Sequence, residues 1–381
     1  MQKIAMRWNA AWAIACLAVA ATGPMAHAAD LTVVQVAPLT GVLASTGKQM
    51  VLGGKLYFDW VNDNGGIHGA RIQHTVVDDG YKVDETVRLT KEALERPEVI
   101  ALFGFAGTAN VSKLLSDGVL EAGGAPLVAP YTGGEALRSP FNPYIFHVRA
   151  GYADETEHMV NQVATLGMQR IAVMYQDDAF GKAGLAGVEA AVAKRGMALV
   201  ATAPYERNTD QVQEAVKTIK ASDAQAVIMI SVNRSTAAFA SQYRAAGGGA
   251  QLYNISVVDP AELVKLAGIK PVHGLGISQV VPYPFMGNKP VVREYHALLK
   301  KYGNGEAPSY TSFEEFLGAK VLVEGLRRAG LNPSRSKLIK ALETISNHDL
   351  GGTRVGFSNE NRVGSRYVEV TVIGASGKLL R

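Results

Sequence analysis

The stretch "LTVVQVAPLTGVLASTGKQM", Leu31 to Met50, sets the fold class of this chain. Its beginning is rich in β-branched and apolar residues and predicts a buried strand at 31–37. A loop with glycines and hydroxyls follows, and the apolar spacing beyond it predicts a helix at 47–63. The order then repeats, with strands at 70–79, 99–104 and 125–130 and helices at 83–95 and 109–122. Alternating strands and helices imply a parallel sheet covered by helices.

The loop between the first strand and helix has the position of a phosphate-binding loop but not its spacing. A Walker loop needs four residues between its first glycine and a Gly-Lys pair, followed by Ser or Thr. Here five residues separate Gly41 from Gly47 and Lys48, and Gln49 follows. The stretch "GLGISQ" at 274–279 departs from the dinucleotide fingerprint at its last position. Neither stretch predicts a nucleotide site, and no cofactor is expected.

The strand and helix order restarts in the second part of the chain. This run has strands at 170–178, 197–205, 225–231 and 251–256 and helices at 154–166, 181–195, 209–220 and 235–246. The C-terminal part adds helices at 289–302, 311–329 and 334–345 and strands near 353–357 and 365–373.

Two successive α/β runs predict two Rossmann-like lobes. Short apolar crossings are expected near 147–152, 277–284 and 352–357, which makes a three-crossing hinge that lets the lobes close on a ligand. The predicted N-terminal lobe comprises 29–148 plus 281–352, and the predicted C-terminal lobe comprises 149–280 plus 353–381.

The beginning of the chain has the features of an export signal. A basic start and a short apolar core precede the small residues Ala26 and Ala28, so residues 1–28 are predicted to be a signal peptide cleaved near Ala28. Lipidation of Cys16 is the alternative, although Ala13 replaces the leucine expected three residues before it. Because Cys16 is the single cysteine, its loss with the signal would exclude disulfides and thiolate metal sites.

The charge pattern limits the range of partners. The formal net charge of +4 falls to +2 once Lys3 and Arg7 leave with the signal. Lysines and arginines are spread along the chain rather than clustered, so no nucleic-acid partner is expected. No later stretch is long and apolar enough to span a bilayer. The mature protein is therefore expected to be periplasmic, soluble and monomeric.

The residues that could carry enzyme chemistry do not form a catalytic pattern. His68 and His74 flank a strand without a third ligand at metal-binding spacing, so no metal site is predicted. No G-x-S-x-G elbow occurs.

Two carboxylate pairs, Asp78-Asp79 and Asp177-Asp178, end predicted strands. Such pairs most often cap helices or close loops. The alternative is an exported hydrolase or lyase with Asp78 or Asp177 as general base. Neither a nucleophile nor a metal site supports that alternative, so no catalytic residue and no enzyme are predicted.

Two loops at strand ends are rich in small and hydroxyl residues. "GFAGTAN" (104–110) and "APYTGGEAL" (129–137) are each expected to lead from a buried strand into a helix. Free backbone N–H groups at a helix start, together with a Thr hydroxyl, suit a small carboxylate. The other interpretation is that Thr108, Asn110 and Thr132 only cap helices. The residues alone leave both interpretations open.

Several longer segments together resemble a known family. They are "APLTGVLASTGKQMVLGGKLYFDWVNDNGGIHGARIQHTVVDDGYKVDETV", "LFGFAGTANVSKLLSDGVLEAGGAPLVAPYTG", "RIAVMYQDDAFGKAG" and "QYRAAGGGAQLYNIS". Their order and spacing resemble the periplasmic type I substrate-binding proteins of the leucine/isoleucine/valine-binding class, which deliver solutes to ABC importers. The resemblance implies a small carboxylate ligand and a membrane permease as partners.

The resemblance also implies a set of ligand-binding residues. The family's carboxylate-binding serine falls on Thr108, its closing aromatic residue on Phe180, and a wall position on Thr46. Val257 occupies the position of a glutamate that holds the ammonium of amino acid ligands, so such a ligand would need Asp259, two residues further on, or another acid as its ammonium partner. The remaining implied contacts are Ala109, Tyr131, Thr132, Gly133, Tyr152 and Asn233.

The valine at the ammonium-binding position leaves the ligand class open. A branched-chain amino acid is the family's ligand, but an ammonium buried without a partner is costly. An aromatic or aliphatic acid without an amino group is the alternative, and Tyr310 is a further aromatic residue expected near the cleft. An exported ligand-sensing protein is a third alternative.

Overall fold

A computed structural model describes residues 30–381, so the predicted signal peptide (1–28) and Cys16 lie outside the described residues. Five parallel strands form the first sheet, and across the sheet they lie in the order β2-β1-β3-β4-β5. Strand β1 spans residues 31–37, as the sequence predicted. The five strands are β1 (Leu31–Ala37), β2 (Ile72–Asp78), β3 (Val99–Phe103), β4 (Leu127–Val128) and β5 (Ile145–Phe146).

Seven strands form the second sheet, in the order β14-β13-β10-β9-β8-β6-β7. The five strands that come first along the chain pair in parallel with one another. The two C-terminal strands pair antiparallel and extend one edge of the sheet. The strands are β6 (Ile171–Gln176), β7 (Leu199–Tyr205), β8 (Ala226–Ile230), β9 (Gln251–Asn254), β10 (Gly276–Gln279), β13 (Glu369–Ile373) and β14 (Leu379–Leu380). A separate antiparallel pair consists of β11 (His348–Asp349) and β12 (Arg354–Val355).

Helices cover both sheets. They are α1 (Ala44–Asp63), α2 (Val83–Leu94), α3 (Thr108–Ser116), α4 (Val119–Gly123), α5 (Tyr152–Thr165), α6 (Ala179–Ala193), α7 (Gln213–Ala221), α8 (Asn233–Ala245), α9 (Pro260–Ala267), α10 (Ile269–Val272), α11 (Pro290–Tyr302), α12 (Tyr310–Ala329) and α13 (Arg335–Glu343). None of these helices combines the length and the apolar character needed to cross a membrane.

The helices α11, α12 and α13, although late in the chain, share an apolar core with α1 and the first sheet. At Gly53 the backbones of α1 and α12 approach so closely that an added Cβ would lie 2.2 Å from the carbonyl oxygen of Ser312. The two-lobed α/β fold predicted from the sequence is therefore confirmed, and each lobe is built on one of the two large sheets.

The chain passes between the two sheets three times, as predicted. The connections are 147–151 between β5 and α5, 280–289 between β10 and α11, and 356–368 between β12 and β13. The first and third lie side by side, because the His147 amide donates to the Arg362 carbonyl at 2.8 Å and the Gly364 amide donates to the His147 carbonyl at 2.8 Å.

Some predicted elements differ from the structure. The helix predicted at 109–122 is split into α3 and α4, because Gly118 takes the left-handed conformation with φ of 65°. The segment 129–137 does not lead into an α-helix but into a single 3-10 turn at Glu135–Leu137. The adjacent Gly133 and Gly134 in this segment disfavour an α-helix.

The C-terminal strands were also partly mispredicted. The strand predicted at 353–357 is reduced to the two residues of β12, outside both large sheets. The third crossing consequently lies further along the chain than 352–357. Residues 277–279, assigned above to the second crossing, belong to the buried strand β10, so that crossing begins at 280.

Candidate ligand-binding site

A cavity of about 20 Å³ lies between the two lobes, at the ends of their parallel strands. The lobes touch around it, so the enclosed space admits little more than a water molecule. We call it the cleft cavity. Its walls are apolar side chains, a glycine and tyrosines: Leu43, Tyr81, Ala106, Gly107, Tyr131, Tyr152, Phe180, Val232 and Val257.

Four helices begin at the cleft cavity, because in a parallel α/β sheet each helix starts where a strand ends. Gly107 is the N-cap of α3 and Val232 the N-cap of α8, and neither helix has a side-chain cap hydrogen bond. Tyr152 is the first residue of α5. Phe180 lies in the first turn of α6, which Asp178 caps. The uncapped starts of α3 and α8 therefore direct free N–H groups and positive dipole ends towards the cavity.

Thr108 and Thr132 form a buried hydroxyl pair beside the cavity. Their Oγ1 atoms are 2.7 Å apart, and Thr132 Oγ1 also accepts from the Gly134 amide at 3.2 Å. Thr108 is the first residue of α3 and Thr132 starts no helix. Asn110 donates to Thr86 Oγ1 at 2.7 Å. The interpretation that these three residues cap helices is therefore wrong, and the two threonines present a hydroxyl pair at the start of α3.

The two predicted tyrosines form one wall of the cavity. The Tyr131 hydroxyl lies 3.1 Å from Thr311 Oγ1 and donates to the Ser256 carbonyl at 3.4 Å, which joins the lobes. The Tyr152 ring packs edge-on against Phe180, with ring centres 5.5 Å apart. Burial raises the pKa of both tyrosines, so their hydroxyls stay protonated.

Two other predicted residues help to shape this wall without lining it. The Gly133 carbonyl accepts from the Tyr152 amide at 2.8 Å. A Cβ at Gly133 would lie 2.5 Å from the Tyr152 ring, so only glycine fits there. Ala109 is half-buried and follows Thr108 in the first turn of α3.

Three predicted residues meet outside the cleft cavity. Asn233 Nδ2 donates to Thr46 Oγ1 at 3.3 Å, and Asn233 Oδ1 accepts from the Asp259 amide at 2.8 Å. The Asp259 carboxylate caps α9 by accepting from the Glu262 amide at 2.9 Å, and it lines a separate, larger groove. Thr46, Asn233 and Asp259 therefore link the lobes, and of the two residues 257 and 259 only Val257 lines the cavity.

The sequence reasoning missed Arg207, which reaches across the cleft from the loop after β7. Its guanidinium donates to the Tyr81 carbonyl at 2.7 Å, to Asn110 Oδ1 at 2.8 Å and to Asp178 Oδ2 at 2.7 Å. It also lies 3.9 Å from the centre of the Tyr81 ring. We call this set of contacts the Arg207 bridge.

Tyr81, Leu43, Ala106, Gly107 and Val232 were also missed as cavity residues. A signal for Tyr81 was present, since it follows the Asp78-Asp79 pair and a glycine at a strand end. Its φ of 62° is unusual for a residue with a side chain and places the ring in the cleft.

A buried cluster of charges adjoins the cavity at the first crossing. The Arg149 guanidinium pairs with Glu155 at 3.1 Å and with Glu314 at 3.3 Å, and it also donates to Ser256 Oγ. Glu315 is fully buried, and neither of its carboxylate oxygens has a hydrogen-bond partner. We call Arg149, Glu155, Glu314 and Glu315 the hinge cluster, because they come from the first crossing, α5 and α12.

The other candidate chemical groups have structural roles. Asp78 accepts from the Leu39 amide at 2.8 Å, and Asp177 pairs with Lys182 at 2.9 Å. His68 contacts the Arg327 carbonyl. His74 contacts Gln35, and burial lowers the pKa of His74 to about 4. Within residues 30–381, no group of three or more His, Cys, Asp or Glu residues is placed to hold a metal ion.

Two α/β lobes that close on a small cavity at their strand ends define a two-lobed binding protein. Residues 30–378 match the family model described as periplasmic binding protein, and the chain belongs to this family. The family is extracytoplasmic, and its members are ligand-binding proteins rather than enzymes. The resemblance noted from the sequence is confirmed.

Individual relatives cover nearly the whole chain. The Leu/Ile/Val-binding protein homolog 8 of Brucella suis biovar 1 (strain 1330) is 24% identical over 91% of this chain and 89% of its own length. A substrate-binding periplasmic protein from Ralstonia solanacearum is 38% identical, with a TM-score of 0.88 over 92% of this chain and 99% of that one. An extracellular ligand-binding receptor from Verminephrobacter eiseniae is 30% identical, with a TM-score of 0.86 over 92% of this chain and 100% of that one.

Proposed function

We propose that this chain is the extracytoplasmic solute-binding component of an ABC importer. It captures a small carboxylate-bearing solute between its two lobes and delivers it to a membrane permease. The observation that carries the proposal is the cleft cavity, where uncapped helix starts and the Thr108–Thr132 hydroxyl pair meet apolar walls.

The carboxylate of the solute binds at the start of α3. The free N–H groups of the first turn, which includes Thr108 and Ala109, supply donors and a positive dipole end. The Thr108 and Thr132 hydroxyls bond to each other, which uses only one of their two O–H groups as a donor. The other O–H group is therefore available to donate to the ligand carboxylate. No catalytic base is needed for this interaction.

The apolar body of the solute contacts the opposite lobe. Phe180, Tyr152 and Val257 form an apolar surface there, and each is at most 5% exposed. The cavity of about 20 Å³ is too small for a solute of several heavy atoms. The solute must therefore enter while the lobes are apart, and the three crossings provide the hinge.

Export and lobe division complete the proposal. We assign residues 1–28 to a signal peptide cleaved near Ala28, which directs the mature chain to the periplasm. We further propose that it acts there as a monomer. The lobes then comprise 29–148 plus 281–355 and 149–280 plus 356–381, which moves the predicted third boundary from 352 to the start of the third crossing. The name of the Brucella relative favours branched-chain amino acids as candidate solutes. The apolar walls fit organic acids of similar size equally well.

Thermal unfolding in the presence of candidate solutes tests the proposal. The chain, exported and processed in a Gram-negative host, is melted with branched-chain amino acids, their amides, benzoates and short aliphatic acids at millimolar concentration. A solute present at 100 times its Kd adds about 2.7 kcal/mol to the free energy of unfolding, which raises the Tm. Absence of any shift across the panel would contradict the proposed function.

A further inference from the structure

No carboxylate side chain lines the cleft cavity among residues 30–381. The nine lining residues are apolar, glycine or tyrosine, and they include Val257 and Val232 from the second lobe. An amino acid ligand has an ammonium group as well as a carboxylate, and a buried ammonium requires an anionic or strongly accepting partner. The question is therefore whether a carboxylate near the cavity is available.

The acids closest to the cavity are already engaged. Asp79 accepts from Thr86 Oγ1 at 2.5 Å and from the Tyr81 amide at 2.9 Å. Asp178 caps α6 and pairs with Arg207 at 2.7 Å. Neither carboxylate lines the cavity, and Asp178 already accepts from four donors, so an ammonium group could bind it only by displacing one of them.

The other two nearby acids, Glu155 and Asp259, make their contacts away from the cavity. Glu155 is paired with Arg149 and accepts from the Ser256 amide at 2.8 Å. Asp259 caps α9 and faces the separate groove.

The uncompensated partial charges at the cavity, in contrast, are positive. The helix starts at Gly107 and Val232 lack side-chain caps. Arg149 and Arg207 also lie near the tyrosine rings, but carboxylates already balance their charges. The two helix starts favour a negative charge on the ligand and disfavour a positive one.

We propose that the solute is a monocarboxylate with an apolar aliphatic or aromatic body and no ammonium group, and that Val257 helps to exclude amino acids. This inference rests on the proposed function, since it concerns the same cavity. It adds the class of solute that the wall chemistry selects.

Matched pairs of solutes that differ only in the amino group test the inference. Isothermal titration of the processed chain compares 4-methylpentanoate with leucine, 3-methylbutanoate with valine, and 3-phenylpropanoate with phenylalanine. We expect the acid to bind at least 100-fold more tightly than its amino acid in at least one pair. If an amino acid binds as tightly as its partner acid, or more tightly, the inference is overturned while the proposed function stands. If no member of any pair binds and the wider panel gives no thermal shift, the proposed function itself fails.

A pair of substitutions at Val257 tests its role. Val257→Glu adds a carboxylate to the wall, and Val257→Gln is its uncharged control of equal size. We expect V257E to lower the ratio of acid affinity to amino acid affinity at least 10-fold relative to V257Q. Equal ratios in the two variants would overturn the role of Val257. Circular dichroism confirms that each variant is folded, and the solute pairs on the unsubstituted chain decide the solute class if V257E is not.

Discussion

The cleft cavity and the hinge cluster are neighbouring buried regions whose charges are arranged in opposite ways. Around the cavity, every nearby acid is paired, caps a helix or accepts hydrogen bonds from neighbouring groups, and the uncompensated partial charges are positive helix starts. In the hinge cluster, Arg149 pairs with two carboxylates, those of Glu155 and Glu314. The third carboxylate, that of Glu315, has no hydrogen-bond partner. The cavity is therefore suited to receive a negative charge from outside, whereas the hinge cluster is suited to retain a proton.

The pKa values in the hinge cluster follow from this arrangement. Burial raises the pKa of Glu314 to about 7, although Arg149 opposes the change. Burial and the neighbouring Glu314 raise the pKa of Glu315 well above its usual value. Burial alone would lower the pKa of Arg149, but Glu314 and Glu155 raise it, so the guanidinium stays charged. The cluster thus depends on Arg149 for its charge balance.

The largest expected effect is on stability, from Arg149→Met. Removing the guanidinium leaves Glu155 and Glu314 buried without their cation, which we expect to cost about 3–5 kcal/mol of the free energy of unfolding. Urea unfolding measures the change. The control is Arg366→Met, which breaks the exposed Arg366–Asp154 pair and should cost less than about 1 kcal/mol. Equal losses in the two variants would contradict the structural role of the hinge cluster.

The next effect concerns the closure of the lobes, from Arg207→Ala. This change removes the Arg207 bridge, with its hydrogen bonds and its contact on Tyr81, and should weaken ligand binding by about 2–3 kcal/mol. Small-angle scattering should show a larger mean radius of gyration for the ligand-free variant. Arg234→Ala, which removes an exposed ion pair in the same lobe, should change neither quantity. An unchanged radius in R207A would show that the bridge does not hold the lobes together.

The sequence predicted the alternation of strands and helices because local periodicity sets it. Strand β1 has the predicted bounds, and Thr108 and Thr132 were named as candidate ligand-binding residues from their strand-end loops, although their contact was not predicted. The sequence could not predict which residues meet across the cleft. Arg207 and Tyr81 are far apart along the chain and come together only when two separate lobes dock.

Local signals also failed where tertiary contacts override them. Asp259 was considered a partner for an ammonium because of its proximity to Val257 in sequence. The start of α9 instead engages its carboxylate and turns it towards another groove. Val257 and Asp259 are two residues apart, yet the first lines the cleft cavity and the second lines the separate groove. The sequence pattern does not predict this difference in side-chain direction.

A smaller effect is expected from Thr108→Val, which removes one hydroxyl of the pair. Ligand affinity should fall by about 1–3 kcal/mol, because a hydrogen bond to a charged carboxylate is lost. The control Thr165→Val removes an exposed hydroxyl on α5 and should leave affinity unchanged. Titration calorimetry measures both. Normal affinity in T108V would remove Thr108 from the site.

The last effect is a slope rather than a single loss, because Glu315→Gln changes the pH dependence of stability. A carboxyl whose pKa is raised on folding binds its proton more tightly in the folded state, so it reduces stability as pH rises above its unfolded pKa. Glu315→Gln should therefore flatten the loss of stability as the pH rises above the usual glutamate pKa of about 4.3, by at most about 1.4 kcal/mol per pH unit.

Urea unfolding at several pH values measures the slope for E315Q. Glu121→Gln, at an exposed position, is the control and should leave the slope unchanged. A slope in E315Q equal to that of the unsubstituted chain would mean that Glu315 does not hold its proton in the folded state. Glu314, Glu155 and Arg149 face the same space, so the remaining slope reports on them.

A crystal structure with the tightest-binding acid of the matched pairs tests the central claim most directly. We predict that the lobes enclose the acid, that its carboxylate contacts Thr108 Oγ1 and the first amides of α3, and that its apolar body lies against Phe180 and Val257. A carboxylate bound elsewhere, such as in the groove lined by Asp259, would contradict the account.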